Sequence, residues 1–312
     1  MNGNNVKTPT IHNKTLSRKA KKNIYIAVML FIPVAHFIIF WGVVNFNSIL
    51  MAFQKLNIDT GGTDWTFNNF ITIWQDLKYW GNYGGLQESL ENTVYTFLFL
   101  TIFMLPWAFI VTYFLHKKIR LTGLWRFMLL LPSILPAVAM TSIFKFLIYP
   151  QGPVGKFWQL FGAAAPQFLA KEKTARWTVL VYMLWANFGG QFMLFSGAMA
   201  KVPKEVVESA YLDGAGMRTE LLRIILPLCW PTISMLLLLN LAGFFMSSGP
   251  VLLLTQGQKQ TMTVSFWIFS WVNDSRLLEV PAALGVACTV ILFPVVLLAR
   301  WGLGKVYADV EF

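Results

Sequence analysis

Charged residues are scarce in this chain. Asp, Glu, Lys and Arg make up 12% of its 312 residues, whereas hydrophobic residues make up 56%. A soluble domain normally carries about a quarter charged residues, so this composition argues against a soluble protein. The chain has only two cysteines, Cys229 and Cys288, and both fall in or beside apolar runs. We therefore expect neither a disulfide nor a cysteine metal site.

Motifs for nucleotide binding, hydrolysis and zinc binding are also missing. A phosphate-binding loop ends in Gly-Lys followed by Ser or Thr, but neither Gly-Lys pair, at 155–156 and 304–305, is followed by a hydroxyl residue. There is no Gly-x-Ser-x-Gly elbow, and His12, His36 and His116 are scattered. The sequence therefore predicts no catalytic residues, no metal and no cofactor bound by this chain.

Long apolar runs dominate the chain, whose mean hydropathy is +0.57. About 20 apolar residues cross a bilayer as a helix, because lipid cannot satisfy the backbone of an isolated strand. We predict an all-α, polytopic membrane protein with six transmembrane helices and cytoplasmic termini. The six runs lie near residues 24–44, 93–115, 124–148, 177–199, 225–246 and 282–303.

The distribution of basic residues sets this orientation. The formal net charge is +11, which by itself would also be compatible with nucleic-acid binding. With the N-terminus inside, however, sixteen of the 25 Lys and Arg fall in cytoplasmic segments and eight in outer loops. This asymmetry is the positive-inside pattern of inner-membrane proteins. We therefore expect membrane lipids, and no nucleic acid, as partners of the basic segments.

Local residues predict how the spans are shaped. Prolines within or at the edge of spans should kink them, while Gly189 and Gly190 favour close helix packing. In the long outer loop, apolar residues at 67, 70, 71 and 74 predict a short amphipathic helix. That helix would lie on the membrane surface or contact an external partner. The prolines are Pro33, Pro106, Pro132, Pro136, Pro227, Pro231 and Pro294.

A polar segment between the fourth and fifth runs stands out from its surroundings. Pro203 suits the first position of a helix, and Glu205 and Glu208 would lie near its positive end. Gly214 fits a helix end in the left-handed conformation. The residues after Gly216 resume helical spacing, so we predict two short helices joined by a sharp turn on the cytoplasmic side.

The spacing of this segment resembles that of importer permeases driven by ATP-binding cassettes. Their coupling loop reads Glu-Ala-Ala, three residues, Gly, nine residues and Ile-x-Leu-Pro. Here Glu208-Ser209-Ala210 precedes Gly214 by three residues, and nine more lead to Ile224-Ile-Leu-Pro227. Ser209 is the single departure. Further similarities occur in the family's order, at 92–93, 131–138, 185–190, 201–205 and 254–261, and they favour the MalF-like sugar-permease branch.

The resemblance implies a domain organisation. It comprises a basic cytoplasmic tail (1–22), a first transmembrane helix with the outer loop (23–91), and a cytoplasmic C-terminal tail (304–312). Between these lies a permease core (92–303) with five transmembrane helices and the coupling loop 201–224. The localisation implied is the bacterial inner membrane.

The resemblance also implies partners and a set of contact residues. The coupling helix would sit in a cleft of a dimeric cytoplasmic ATPase, which would carry the ATP and magnesium. A second, MalG-like permease subunit and an extracytoplasmic solute-binding protein would complete the importer. The implied ATPase-coupling residues are Glu205, Glu208, Ser209, Ala210, Asp213, Gly214, Ala215 and Pro227.

Polar and aromatic residues inside the spans are the candidates for a solute path. Intramembrane polar groups are expensive and tend to be functional, and aromatic rings can stack on sugar faces. For each of these residues, helix–helix hydrogen bonding or core packing is the competing interpretation. The candidates are His36, Trp185, Asn187, Gln191, Asn240, Phe244, Phe245, Ser247 and Ser248.

We weighed three functions. A secondary transporter would need paired intramembrane carboxylates, and a membrane-embedded enzyme a cluster of carboxylates or histidines; the spans contain essentially no Asp or Glu. The sequence therefore favours a permease that alternates between inward- and outward-open states, driven by a separate ATPase. Its expected cargo is carbohydrate, in particular an oligosaccharide, with glycerol phosphate or another polar solute as the alternative.

Overall fold

A computed structural model describes residues 17–57, 61–78, 85–275 and 278–306. The chain divides into two compact units, Met1–Met51 and Ala52–Phe312. Most of the predicted basic tail at 1–22, with His12, and most of the tail at 304–312 lie outside the described residues.

The first unit is helical throughout its described part. Helix α1 spans Arg18–His36, a π-helical stretch spans Phe37–Val43, and α2 (Val44–Ala52) begins in this unit. Together they form an uninterrupted helix, Lys21–Ala52, of 32 residues with a mean hydropathy of 2.3 over its most apolar part. This is long enough to cross a membrane even though Pro33 lies inside it.

The second unit opens with a small hairpin that an all-helical expectation did not include. Strands β1 (Gln54–Leu56) and β2 (Thr63–Trp65) pair antiparallel, with Lys55 opposite Asp64. The buried Asn69 amide donates hydrogen bonds to the carbonyls of Ala52 (3.0 Å) and Gln54 (2.8 Å). These bonds attach the hairpin to the helix that follows.

The predicted outer-loop helix is present as α3, Asn68–Lys78. Ile73 is buried, whereas Phe67, Ile71 and Trp74 are 70%, 51% and 68% exposed. Positions 67, 71 and 74 lie on one helical face. Three of the four predicted apolar positions are thus exposed, whereas Phe70 is partly buried against the core of its own unit.

Three long helices of the second unit match predicted spans. The second span consists of α4 (Leu86–Phe99), a π-helical stretch (Leu100–Met104) and α5 (Leu105–His116), which run without interruption. The fourth is α9, Glu172–Ala200, and the sixth is α16, Glu279–Val306. The π-helical stretch ends just before Pro106, whose missing N–H disturbs the regular ladder.

The third and fifth predicted spans are present, but each is a bent pair of helices rather than one continuous helix. Helices α6 (Thr122–Ile134) and α7 (Ala137–Ile148) meet at Leu135 and Pro136, and α8 (Pro153–Leu160) continues the chain; the bend is 113°. Leu135 is extended, as residues before proline prefer. If each bent pair is counted as one crossing, the described chain has six.

The fifth span bends where the sequence places two prolines. After α10 (Lys204–Leu212) come α11 (Met217–Thr219), a π-helical stretch (Glu220–Ile225) and α12 (Leu226–Leu228). The break at Cys229 separates these from α13 (Trp230–Ala242), with a bend of 67°. Pro231 lacks the N–H for the fourth residue back, which is Pro227. Two short helices, α14 (Ser248–Leu254) and α15 (Val264–Ser275), precede α16.

Helix α9 lies at the centre of the core. It packs against α5 and α6, with Phe109 and Phe195 in edge-to-face contact at 5.4 Å between centroids. A Cβ on Gly189 would meet Ser133 Oγ at 2.3 Å, which confirms the predicted close packing at this glycine.

Asn92 and Thr93 hold α4 against the residues at the start of α15. The Asn92 amide donates to the Met262 carbonyl (2.8 Å), and Thr93 Oγ1 accepts from the Val264 N–H (3.0 Å).

Candidate functional site

The segment predicted to couple the chain to an ATPase forms two short helices joined by a turn. Helix α10 begins at Lys204, one residue later than predicted, and Pro203 occupies the N-cap position. Glu205 and Glu208 are exposed on it, and none of its described side chains is buried. Only Val207 and Ala210 are half-buried, so most of the helix surface is exposed.

The turn after α10 has a defined geometry. Gly214 has φ +79°, its N–H donates to the Tyr211 carbonyl (3.0 Å), and the Ala215 N–H donates to the Ala210 carbonyl (2.9 Å). These two bonds form a Schellman helix end, which needs a left-handed residue at the position of Gly214. The structure therefore gives Ala210, Gly214 and Ala215 a shared local role in ending the helix.

The remaining residues of the predicted coupling set surround this turn. Ser209 and Asp213 are exposed, and Ser209 Oγ donates to the Val206 carbonyl at 3.1 Å. Pro227 is half-buried, two residues before the break at Cys229. Leu212, the last residue of α10, is 89% exposed.

An ionic cluster, made up of Lys117, Tyr211 and Glu220, lies beside α10. The Lys117 ammonium donates to the Glu220 carboxylate and to the Tyr211 hydroxyl. The Tyr211 hydroxyl in turn donates to Glu220 Oε2 at 2.7 Å. The Glu220 side chain is only 3% exposed, whereas that of Lys117 is 30% exposed. The buried carboxylate is thus paired with one ammonium and one hydroxyl.

The environment of Lys117 stabilises its charged form. Burial by itself lowers the pKa of Lys117, but the hydrogen bonds to Glu220 and Tyr211 outweigh burial, so the pKa is raised above the ordinary lysine value. The ammonium also lies 4.8 Å from the Tyr211 ring centroid and 5.3 Å from that of Tyr113. Lys117 is therefore protonated throughout the physiological pH range.

A cavity within the membrane-spanning part collects several of the predicted solute-path residues. Its volume is about 460 Å³, and its walls come from α4, the following π-helical stretch, α9, α13 and the segment up to α14. Asn187, Gln191, Asn240, Phe244 and Ser247 all line it. Thr96, Phe97 and Thr101, which the sequence analysis did not single out, line it as well. We call this space the membrane cavity.

The polar atoms of the membrane cavity are only partly hydrogen-bonded. Gln191 Nε2 donates to Asn240 Oδ1 at 3.3 Å. Four other buried atoms on the wall have no partner within the described part of the chain: Gln191 Oε1, Asn240 Nδ2, Thr101 Oγ1 and Ser247 Oγ. Buried polar groups are normally satisfied, so these atoms leave hydrogen-bonding capacity at the wall that the described chain does not use. None of the described lining residues is charged.

The other predicted path residues lie elsewhere. Trp185 packs against Phe144 at 5.9 Å between ring centroids, and Phe245 contacts Phe244 edge-to-face at 4.8 Å. Ser248 begins α14, and it is not among the residues that line the membrane cavity. His36 belongs to the first unit, where it contacts Phe40 at 4.7 Å. For Trp185 and Phe245 the structure favours the competing interpretation, core packing.

An apolar helical bundle around a cavity whose described lining is partly polar and uncharged defines a membrane permease. Comparison with known proteins agrees. Residues 93–308 match the family described as binding-protein-dependent transport system inner membrane component. The chain belongs to this family, so it is the permease component of a binding-protein-dependent ABC importer. It lies in the inner membrane and is a transport subunit rather than an enzyme.

Curated relatives are transport permeases. The lactose transport system permease protein LacF of Rhizobium radiobacter is 23% identical over 209 residues, covering 65% of this chain and 68% of that protein. The sn-glycerol-3-phosphate transport system permease protein UgpA of Shigella flexneri is 27% identical over 187 residues, covering 59% of this chain and 60% of that protein. The matched region thus spans about two thirds or less of these relatives.

Solved structures share the fold. A bacterial ABC transporter involved in the import of the acidic polysaccharide alginate has a chain with a TM-score of 0.80 at 20% identity, covering 92% of this chain and 98% of that one. The same transporter in complex with an alginate pentasaccharide-bound periplasmic protein gives 0.81 at 19% identity, covering 95% and 99%. At this level of identity, the likeness shows the permease fold alone.

Proposed function

We propose that this chain is the MalF-like subunit of an importer that carries a neutral oligosaccharide through the membrane cavity. The observation that carries this proposal is the wall chemistry of the cavity, in which four buried hydrogen-bonding atoms lack a partner within the described residues and no lining residue is charged. A sugar offers hydroxyl groups that both donate and accept, so it can satisfy amide and hydroxyl groups alike.

The aromatic rings of the cavity support the same cargo. Phe97 and Phe244 both line it, with ring centroids 4.9 Å apart. The apolar faces of pyranose rings pack against such aromatic surfaces, while the amides fix orientation. A volume of about 460 Å³ also falls within the usual range of small-molecule sites.

Charge distinguishes a neutral sugar from the alternatives. Similarity to a glycerol-phosphate permease favours a phosphate-bearing solute, and the structural neighbours transport an acidic polysaccharide. A buried anion requires a cationic or strongly donating partner, and the described residues on the cavity wall include no Lys, Arg or His. The wall chemistry therefore supports a neutral solute over either anion.

The exposure of helix α10 supports transport that is driven by a separate ATPase. We propose that α10 is the coupling helix and that it docks on a cytoplasmic ATPase dimer carrying ATP and magnesium. A second, MalG-like permease subunit would complete the pathway, and a solute-binding protein would deliver the cargo on the outer side. Binding of ATP would draw the coupling helices together and open the cavity outward.

The direct test measures uptake by the reconstituted importer with its partner permease, ATPase and solute-binding protein. The probes are neutral oligosaccharides, alginate oligosaccharides and glycerol 3-phosphate. ATP-dependent uptake of a neutral oligosaccharide with exclusion of both anions is the expected result. Preferential uptake of either anion would refute the assignment to neutral solutes.

Ser247 and Ser248 provide a test of the cavity and its matched control. Ser247 lines the cavity with an unpaired Oγ, whereas Ser248 is not among its lining residues. Loss of one hydrogen bond is worth about 1 kcal/mol, or roughly a fivefold rise in KM for uptake. We expect this rise for Ser247→Ala and not for Ser248→Ala. Equal effects of both substitutions would show that the cavity is not the path.

A further inference from the structure

The coupling helix is held to its own chain by few contacts. None of its described side chains is buried, and its apolar attachment to the core is through the half-buried Val207. Tyr211 supplies the polar attachment, through the ionic cluster with Lys117 and Glu220. Apart from the chain connections at its two ends, α10 is therefore attached to the rest of the molecule by few side chains.

Lys117 connects this attachment to a continuous helix. It directly follows α5, which forms an uninterrupted helix, Leu86–His116, with α4 and the π-helical stretch. Farther along the same helix, Thr101 and Met104 line the membrane cavity. At 1.5 Å per residue, Lys117 lies about 20 Å along the axis from Met104. One continuous helix thus joins the ionic cluster to the cavity wall.

Glu220 connects the ionic cluster to another wall of the membrane cavity, through the chain that leads to α13. It begins the π-helical stretch that leads to α12, and α13 carries Leu236 and Asn240 on the cavity wall. The break at Cys229, with its 67° bend, lies between Glu220 and these residues. The route from Glu220 is therefore broken at a bend, whereas the route from Lys117 is an uninterrupted helix.

The cluster also borders free space. A cavity of about 290 Å³ lies behind α10, and its walls include all three residues of the ionic cluster together with Val207. Because this space is an open cleft at the protein surface, α10 has room to shift while its polar attachment persists.

From these contacts we infer that the ionic cluster transmits the movement of α10 to the membrane cavity, with Lys117 and Tyr211 as positioning residues of the transport cycle. The inference rests on the proposed import function. If the inference is correct, breaking the ionic cluster leaves the ATPase bound, but ATP binding no longer opens the membrane cavity. Lys117→Met removes the charge at similar length and leaves the buried Glu220 without its counter-ion. Tyr211→Phe keeps the ring and removes only the hydroxyl.

The experiment follows accessibility of the cavity in the assembled importer. Ser247→Cys is introduced after Cys229 and Cys288 have been replaced by alanine, and the rate of labelling by a methanethiosulfonate reagent is measured with and without ATP and vanadate. In the otherwise unaltered chain we expect ATP and vanadate to change this rate at least fivefold. In Lys117→Met and Tyr211→Phe we expect less than a twofold change, with the ATPase still co-purifying in stoichiometric amount.

Three controls separate transmission from a structural effect. Lys118→Met removes a neighbouring exposed lysine outside the ionic cluster and should leave the nucleotide effect intact. Lys117→Arg should retain it, and the exchange Lys117→Glu with Glu220→Lys should restore part of it. If Lys117→Met fails to assemble, Tyr211→Phe, which leaves the Lys117–Glu220 ion pair in place, decides the matter.

The outcomes are distinguishable. A full nucleotide effect in an assembled Lys117→Met or Tyr211→Phe importer would overturn the inference and leave the proposed function standing. A chain with an intact cluster whose labelling ignores ATP would overturn the proposed function and, with it, the inference.

Discussion

Replacing Gly214 tests whether the turn after α10 needs its left-handed backbone. Gly214 has φ +79°, and a Cβ built there would meet no atom within 4 Å. Within this chain the cost of Gly214→Ala is therefore conformational rather than steric. A left-handed L-residue costs about 1–2 kcal/mol, which lowers the equilibrium constant for forming the native helix end by roughly 5- to 30-fold.

The assay is ATP-driven uptake by the reconstituted importer, measured together with the amount of ATPase that co-purifies. We expect Gly214→Ala to lower uptake measurably, by up to the same roughly 30-fold factor, provided that coupling requires the native turn. Gly216→Ala is the matched control, because Gly216 has φ −76° and also meets no atom within 4 Å. That substitution should leave uptake within twofold of the unaltered protein.

Gly214→Asn separates backbone conformation from close approach of the ATPase. Asparagine tolerates the left-handed region better than alanine does. If conformation is the requirement, Gly214→Asn should retain more uptake than Gly214→Ala. If the ATPase approaches the Gly214 backbone closely, the larger asparagine should be the worse of the two. Unchanged uptake in Gly214→Ala would refute both explanations and the assignment of this turn to coupling.

Three further substitutions test the cavity and the core. Asn240→Leu removes the hydrogen bond to Gln191 and the unpaired Asn240 Nδ2 from the cavity. A loss of about 1 kcal/mol should raise the KM for uptake at least fivefold and leave ATPase assembly unchanged. Gly257 has φ +72°, and a Cβ there would lie 2.3 Å from Phe266 Cε1. Gly257→Ala should therefore cost about 3 kcal/mol and lower the melting temperature in detergent. Gly249→Ala, whose Cβ meets no atom within 4 Å, should leave the melting temperature unchanged. Asn92→Ala breaks the bond to the Met262 carbonyl, and a loss of about 1–3 kcal/mol should appear as a lower melting temperature.

Hydropathy located the membrane helices well because lipid imposes a strict length and composition. The predicted run 177–199 lies inside α9, Glu172–Ala200, and 93–115 lies inside the helix Leu86–His116. The broken spans were harder to predict, because a proline removes one hydrogen bond but packing decides the resulting angle. Pro33 and Pro294 lie inside continuous helices, whereas Pro136 lies at a 113° bend.

The two candidate sites differed in how far sequence could predict them. Asn240 and Gln191 were identifiable because an amide inside a span is costly and stands out. Trp185 was not distinguishable from a core residue, since an aromatic side chain suits lipid, core and sugar contacts equally. The Lys117–Glu220 pair was missed because its members are 103 residues apart and each reads as an ordinary charge at the edge of a span.

The contrast between the two sites argues for different mechanical roles. Lys117, Tyr211 and Glu220 are hydrogen-bonded to one another, so separating them would leave a buried carboxylate unpaired, and the ionic cluster resists deformation. In the membrane cavity, Gln191 Oε1 and Asn240 Nδ2 have no partner among the described residues, so the wall keeps hydrogen-bonding capacity that its own chain does not use. A stiff polar connection at the proposed coupling helix and an open polar lining in the membrane would suit a transport cycle, because the first must keep its contacts and the second must release its own.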